Sequence, residues 1–388
     1  MIRNSFYSLL VMLSFFMFAV QSSAQIPEGA KPAPTNIQAN NCPCIYADLR
    51  VLFRVTAPAA NKVQVDLGKL YDMQKDDKGI WTVTTEPQDP GFHYYSLVID
   101  GFKFSDPASE TFYGTGRMSS AIDVPEAGAD FYSLKEVPHG DIRSKNYFSK
   151  VTGTWRNINI YTPPGYDKEV SKSYPVLYIQ HGGGEDERGW AVQGKTNIIL
   201  DNLIAEGKAV PMIVVIPNGN VTKPGVSAAG YSDEAMAVFK EEMIGNIIPF
   251  IEKNYRVKQG VANRAISGLS MGGGQAFYTG LRNTDVFSSV GVFSTGVFGG
   301  INRQPGAAAF DAETAIPGIL SNPKPFNSKL KVFYISVGEQ DPRIEHTKKL
   351  IDTFKSKGLN VQFASFPGGH EWQVWRKSLN DFAPKLFK

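Results

Sequence analysis

Two patterns of apolar spacing divide the chain. Between residues 45 and 134 apolar and polar positions alternate in short runs, at 49–55, 62–65, 80–84 and 92–99. Turn-forming clusters separate them: Asp76-Asp77-Lys78-Gly79, Asp89-Pro90-Gly91 and Asp100-Gly101. A period of two between such turns, with no helical stretch, predicts a small all-β sandwich. From residue 155 onward the pattern changes. Apolar runs of strand length recur at 155–161, 176–180, 212–217, 264–267, 290–294, 332–337 and 361–366. Helical stretches lie between them, notably 233–255, where Met236, Phe239, Met243 and Ile247 share one face and Pro249 is placed to bend the axis. Two further helical stretches are read at 345–357 and 375–386. Alternation of this kind predicts an α/β domain built on a mostly parallel, doubly wound sheet.

The ends and joints read differently. Residues 1–24 carry Arg3, an apolar stretch at 9–20 and Ser22-Ser23-Ala24, the order of an export signal; the stretch is shorter than the ~20 residues a membrane span needs. Residues 25–41 and 135–152 are polar, carry Pro and lack apolar periodicity, and are expected to be linkers. The expected plan is therefore signal, linker, sandwich over 42–134, second linker, and α/β domain over 153–388. An exported protein follows, periplasmic or secreted.

Composition changes this picture little. With 42% apolar and 20% charged residues a large core is feasible, and a formal charge of +3 without long Lys/Arg blocks argues against a nucleic-acid partner. The only cysteines, Cys42 and Cys44, flank Pro43; free thiols and a strained local bridge both remain open, and no His/Cys cluster accompanies them, so no metal site is expected.

The chemistry concentrates after the strand at 264–267. Gly268-Leu269-Ser270-Met271-Gly272 has the spacing of a nucleophile elbow, in which a serine on a strained strand-to-helix turn needs small neighbours on both sides. The turn lifts the hydroxyl above the sheet and aims the Met271 N–H at an incoming carbonyl oxygen. In this architecture the acid and the histidine follow the serine in that order. His346 and His370 are the histidines after Ser270; His346 falls in a helical stretch, whereas His370 lies in the turn Pro367-Gly368-Gly369-His370 after the last strand. The acid is expected after the preceding strand, where Asp341 is preferred and Glu339 is the runner-up. His181-Gly182-Gly183-Gly184, after the strand at 176–180, matches the glycine loop that supplies a second oxyanion donor, with Gly183 the best choice beside Met271. His181 precedes the elbow and is read as shaping the loop.

Two resemblances complete the reading. Tyr94-x-x-x-Val98-x-Asp100-Gly101 with Asp106-Pro107 resembles the immunoglobulin-like early-set domain akin to carbohydrate-binding module family 48. Trp81 and Tyr113 are then either sugar platforms or packing residues, with packing preferred. The second half resembles carbohydrate esterase family one, the feruloyl and acetylxylan esterases. The residues carrying it are His181–Gly184 with Trp190, Gly268–Gly273, Gly338-x-x-Asp341, and Gly369-His370-x-Trp372-x-x-Trp375-Arg376. The resemblance implies an α/β-hydrolase fold, an acyl-enzyme route without metal or cofactor, and Ser270, His370 and Asp341 as nucleophile, base and orienting acid. Trp372 and Trp190 either flank the substrate or pack in the core. The substrate it implies is a plant cell-wall polysaccharide ester, feruloylated xylan first and acetylated xylan second. A siderophore trilactone esterase and a sugar-binding protein with an inactive esterase domain are the further alternatives.

Overall fold

The computed structural model describes residues 26–227, 230–301 and 309–388; the expected export signal lies outside them. Among the described residues no helix is long and apolar enough to cross a membrane.

The second half forms around eight strands, numbered here in chain order: β1 Asp141–Ser149, β2 Thr154–Thr162, β3 Val176–Gln180, β4 Ile213–Pro217, β5 Arg264–Leu269, β6 Ser289–Phe293, β7 Val332–Gly338 and β8 Gln362–Phe366. Their order across the sheet is β1-β2-β4-β3-β5-β6-β7-β8, with β2 antiparallel to both of its neighbours, β1 and β4, and the remaining pairs parallel. Helices cover both faces, so the central strands are buried on both sides and read as unbroken apolar runs. Alternate residues still part cleanly. Tyr178 and Val215 join one core layer, while Leu177, Ile179, Val214 and Ile216 join the other.

Helix Asp233–Glu242 continues through a π-helical turn, Met243–Ile247, into Ile248–Asn254, with Pro249 in the first turn of the last piece, directly after the π-helical turn. The expected linker over 135–152 is corrected: its second part is β1, paired along its whole length with β2. Its polar surface, including Arg143 and Lys145, is that of a sheet edge facing water, which is why it lacks an apolar signature.

The first half consists of two antiparallel sheets, consistent with a sandwich. One runs Ala30–Pro32, Cys44–Tyr46, Val51–Thr56, Ile80–Thr84, Gln74–Lys75; the other runs Thr111–Gly114, Arg117–Val124, Gly91–Ile99, Val63–Leu67, Lys69–Asp72. The expected linker over 25–41 is also corrected, because Ala30–Pro32 pairs with Cys44–Tyr46 as an edge strand. Cys42 and Cys44 are free thiols not joined by a disulfide, their sulfurs in hydrogen-bond contact at 3.8 Å. Trp81 is buried and donates to the Ala57 carbonyl (2.9 Å), a packing role.

Strand Gly91–Ile99 joins the two halves. Tyr95 and Leu97 face the sandwich interior, whereas Phe92 belongs to the same core layer as Leu177, Trp372 and Trp375. One continuous apolar layer therefore runs between the halves.

Candidate active site

The site is assembled at the carboxyl ends of the parallel strands, where loops rather than side-chain packing decide geometry. Strand β5 ends at Leu269, Ser270 takes φ 51° and ψ −112°, and helix Met271–Arg282 begins at once. This strained backbone is over-determined by its surroundings. The Ser270 N–H donates to the Phe293 carbonyl (2.8 Å) and its carbonyl accepts from the Tyr231 hydroxyl (3.2 Å). The flanking glycines are required by space: a Cβ on Gly268 would sit 2.4 Å from the Gly272 carbonyl oxygen, and one on Gly272 would sit 2.5 Å from the His181 carbonyl oxygen.

The Ser270 hydroxyl is 2.9 Å from His370 Nε2, and His370 Nδ1 is 2.8 Å from Asp341 Oδ2. Asp341 is buried beyond β7; its other oxygen accepts from the Arg343 backbone N–H (3.0 Å) and guanidinium (2.9 Å). Burial raises the Asp341 pKa, but the hydrogen bonds from His370 and Arg343 outweigh it and hold the carboxyl below its ordinary value. The imidazole edge packs against Trp375, ring centres 5.0 Å apart. Glu339, the alternative acid, is exposed.

The loop after β3 closes the other side. His181 is fully buried; its Nε2 accepts from the Gly219 N–H (2.8 Å), so its proton sits on Nδ1 and is donated to the Gly182 carbonyl (2.7 Å). Burial lowers its pKa, in keeping with a neutral ring. The Gly272 N–H donates to the His181 carbonyl (3.1 Å), tying loop to elbow. The Gly182 N–H is taken by Glu185 Oε2 (3.0 Å), and a Cβ added at Gly183 would meet nothing within 4 Å. Met271 opens its helix, so its N–H has no acceptor within the helix.

A cavity of about 200 Å³ lies over the serine, walled by Ser270, His370, Gly182 and Gly183 together with Trp372, Trp375, Phe92 and Tyr94. Trp372 thus reaches the cavity. Trp190 does not: it is fully buried behind it, donating to the Gln180 carbonyl (2.8 Å) and packed edge-on to Trp372, and the expectation that it flanks substrate is corrected to a core role. Reading the sequence also missed the contribution of the first half. Phe92, Tyr94 and Thr115 belong to the sandwich and line this cavity. The Tyr94 hydroxyl accepts from Gln193 (2.9 Å) and faces the Trp372 indole N–H (3.4 Å); burial pushes its pKa up to about 12. Tyr113 is packed by Arg188 at the same junction. Two carboxylates were missed as well, Glu185 and Glu371. Glu185 directly follows the glycine loop, a signal that could have found it. Its burial raises its pKa to about 7, against the lowering effect of the Gly182 N–H.

A hydroxyl bonded to an imidazole, itself bonded to a buried carboxylate, can deliver its proton while attacking a carbonyl. The Esterase family model matches residues 149–386, which takes in strands β2 to β8 of the sheet described above. The chain belongs to the esterase family. It is 36% identical, over 95% of its length, to an endo-1,4-beta-xylanase/feruloyl esterase of Xylanibacter ruminicola, of which it covers 49%. It is 28% identical to endo-1,4-beta-xylanase Y of Acetivibrio thermocellus, covering 75% of this chain and 27% of that one. This esterase thus spans half or less of the length of these curated relatives. Among solved structures, a ferulic acid esterase of Anaeromyces mucronatus in complex with ferulic acid is 27% identical with a TM-score of 0.56, over 66% of this chain and 95% of that one. The enterobactin esterase of Shigella flexneri covers 87% of this chain and 93% of its own at 16% identity and a TM-score of 0.63, a likeness of fold across both halves of the esterase.

Proposed function

We propose that this esterase hydrolyses carboxylic esters through an acyl-enzyme and that its substrates are feruloyl and related hydroxycinnamoyl esters on arabinoxylan. Ser270 attacks the ester carbonyl as His370 Nε2 takes its proton; His370 returns that proton to the departing sugar alkoxide, then activates water for deacylation. Asp341 holds the imidazole tautomer and stabilises the imidazolium. The N–H groups of Gly183 and Met271 receive the oxyanion, a task in which each donor contributes roughly 3–4 kcal/mol. The observation that carries the reading is the unbroken hydrogen-bond chain from Asp341 to Ser270 beneath a cavity with aromatic walls.

Those walls favour a flat aromatic acyl group over acetyl, since a two-carbon group would leave most of the cavity and its aromatic faces without a partner. A multiply anionic siderophore fits less well: the cavity is lined by Glu185 and Glu371 and by no Lys or Arg. The complete triad argues against a retired, purely sugar-binding domain. Export, read from residues 1–24, matches a substrate in the cell wall of plants.

The test is parallel hydrolysis of methyl ferulate and acetylated xylan by the parent and Ser270→Ala chains. Release of ferulate with little acetate, lost by at least a thousandfold, on the order of 10³–10⁶, in the variant, is expected. Acetate release alone would replace the acyl assignment, and a variant as active as its parent would remove Ser270 from the mechanism.

A further inference from the structure

A second cleft opens at the edge of the sheet, and the loop that lines the acyl cavity runs on into it. Its volume is about 570 Å³, and its lining is almost wholly polar: Asn157 and Asn159 on β2, Asn218 after β4, and the turn Asp186-Glu187-Arg188. That turn follows Glu185, which lines the acyl cavity, so adjacent residues one peptide apart, ~3.8 Å between Cα atoms, face the two spaces. The turn is firmly built. The Asn159 side chain donates to the Glu187 carbonyl (2.9 Å), Asn218 donates to the Glu187 carboxylate (3.0 Å), and Arg188 forks onto Asp186.

At the rim stands Trp155. It is 70% exposed, and its cross-strand partner Phe148 is 51% exposed, the two rings meeting edge to face at 5.8 Å. A tryptophan this open on a strand buries little on folding. Its indole face next to a row of amides suits a ring that has apolar faces and hydroxyl edges. The charges point the same way. Arg188 is compensated by Asp186, and Arg156 donates to the Asn218 and Asn220 carbonyls and lies 3.5 Å from Glu242, so neither arginine is left over for an anionic ligand, and the Glu187 carboxylate, which accepts from Asn218, further disfavours one.

We propose that this cleft is a glycan subsite, in which Trp155 stacks on a pyranose of the neutral polysaccharide main chain whose side-chain ester lies over Ser270. The inference rests on the ester-hydrolase reading and adds where the polymer runs: away from the acyl cavity, over the Asp186–Arg188 turn, to the edge of the sheet.

The experiment uses the full chain in two forms. In the Ser270→Ala background, calorimetric titration with xylohexaose, which carries no ester, is compared with the Trp155→Ala and Trp155→Tyr forms. In the active chain, the ratio of kcat/KM on feruloylated arabinoxylan to kcat/KM on methyl ferulate is compared for the same substitutions. Trp155→Ala is expected to weaken xylohexaose roughly tenfold and to lower the ratio by a similar factor, with Trp155→Tyr recovering part of both. Equal affinity in parent and Trp155→Ala, including no binding by either, overturns the subsite. So does a change in oligomeric state with binding and ratio intact, which would make the aromatic pair a contact between copies. A parent inert on methyl ferulate but binding xylohexaose through Trp155 would instead overturn the ester reading alone.

Discussion

At the scale of single residues, the site holds one carboxyl group in an unfavourable place. Glu185 is buried at the base of the glycine loop, and its pKa stands near 7 against an ordinary 4.5 because burial penalises the charge. The native state therefore binds this proton more tightly than the unfolded chain, and stability must fall as pH rises through that window. Glu185→Gln removes the charge and keeps an oxygen for the Gly182 N–H, 3.0 Å away in the parent. The variant should match the parent near pH 4.5 and gain on it progressively up to pH 7, levelling at no more than about 3 kcal/mol above that. Urea unfolding at pH 4.5 and pH 8 measures the difference. A gap that does not widen with pH would mean that Glu185 ionises freely in the folded protein. Asp341 shows the opposite sign in the same site: similarly buried, it meets three donors and is held ionised.

At the scale of elements, strand, elbow and helix form one unit in which glycine positions differ sharply in what they tolerate. A Cβ at position 272 would meet the Gln180 Cβ and the carbonyl oxygens of Gln180 and His181 within 2.6 Å, whereas one at position 183 would meet nothing within 4 Å. Gly272→Ala should therefore cost at least about 1–3 kcal/mol, the range for overpacking, and Gly183→Ala less than about 0.5 kcal/mol. Thermal unfolding of the two variants side by side decides it, and equal melting temperatures would show that the elbow can relax. This unit was legible in the sequence because its demands are local: glycines at fixed spacing, an apolar run before them and a helix after. The same locality made β3, β4, β6 and β7 readable to within a residue or two, and Ser270, Asp341 and His370 each stand at the end of such a strand. What was not legible depends on remote surfaces. β1 reads as a linker because its outward residues answer to water alone. Trp190 and Trp372 are alike in sequence and both join the core layer, yet only Trp372 also reaches the cavity, a difference set by the placement of the C-terminal helix. That Phe92 and Tyr94 wall the cavity follows from docking of the sandwich, which no local pattern encodes.

At the scale of the whole molecule, the question is what keeps that wall in place. The C-terminal helix Trp372–Phe382 carries Arg376, which is fully buried and reaches across the junction to Asp123 on strand Arg117–Val124, with bonds of 3.1 and 3.2 Å; its Nε donates to the Gln193 carbonyl (2.8 Å) and its guanidinium lies over the Tyr132 ring. Lys195 adds a second cation to Asp123 at 2.8 Å. Burial alone would raise the Asp123 pKa, but Arg376 and Lys195 together hold it below its ordinary value, so its contribution is present above the unfolded pKa of 3.8 and is lost as pH falls through the folded one. Replacing Arg376 by Ala leaves this carboxylate with Lys195 only. The expected cost at pH 7 is about 3 kcal/mol, the lower end for breaking a buried pair, because one cation remains. In the variant the Asp123 pKa rises, so acidification towards pH 4 should protonate it and narrow the gap to the parent. Calorimetry at both pH values reads this, and the shape of the transition reads the junction itself: an endotherm that separates into two steps in Arg376→Ala marks the release of the sandwich from the esterase sheet. Release would also take Phe92, Tyr94 and Thr115 from the cavity, so hydrolysis of an aromatic ester should fall below that of an acetyl ester of the same alcohol. A variant that melts with its parent in one step, with the same preference between the two esters, would show that the apolar layer around Phe92 holds the halves together without the ion pair.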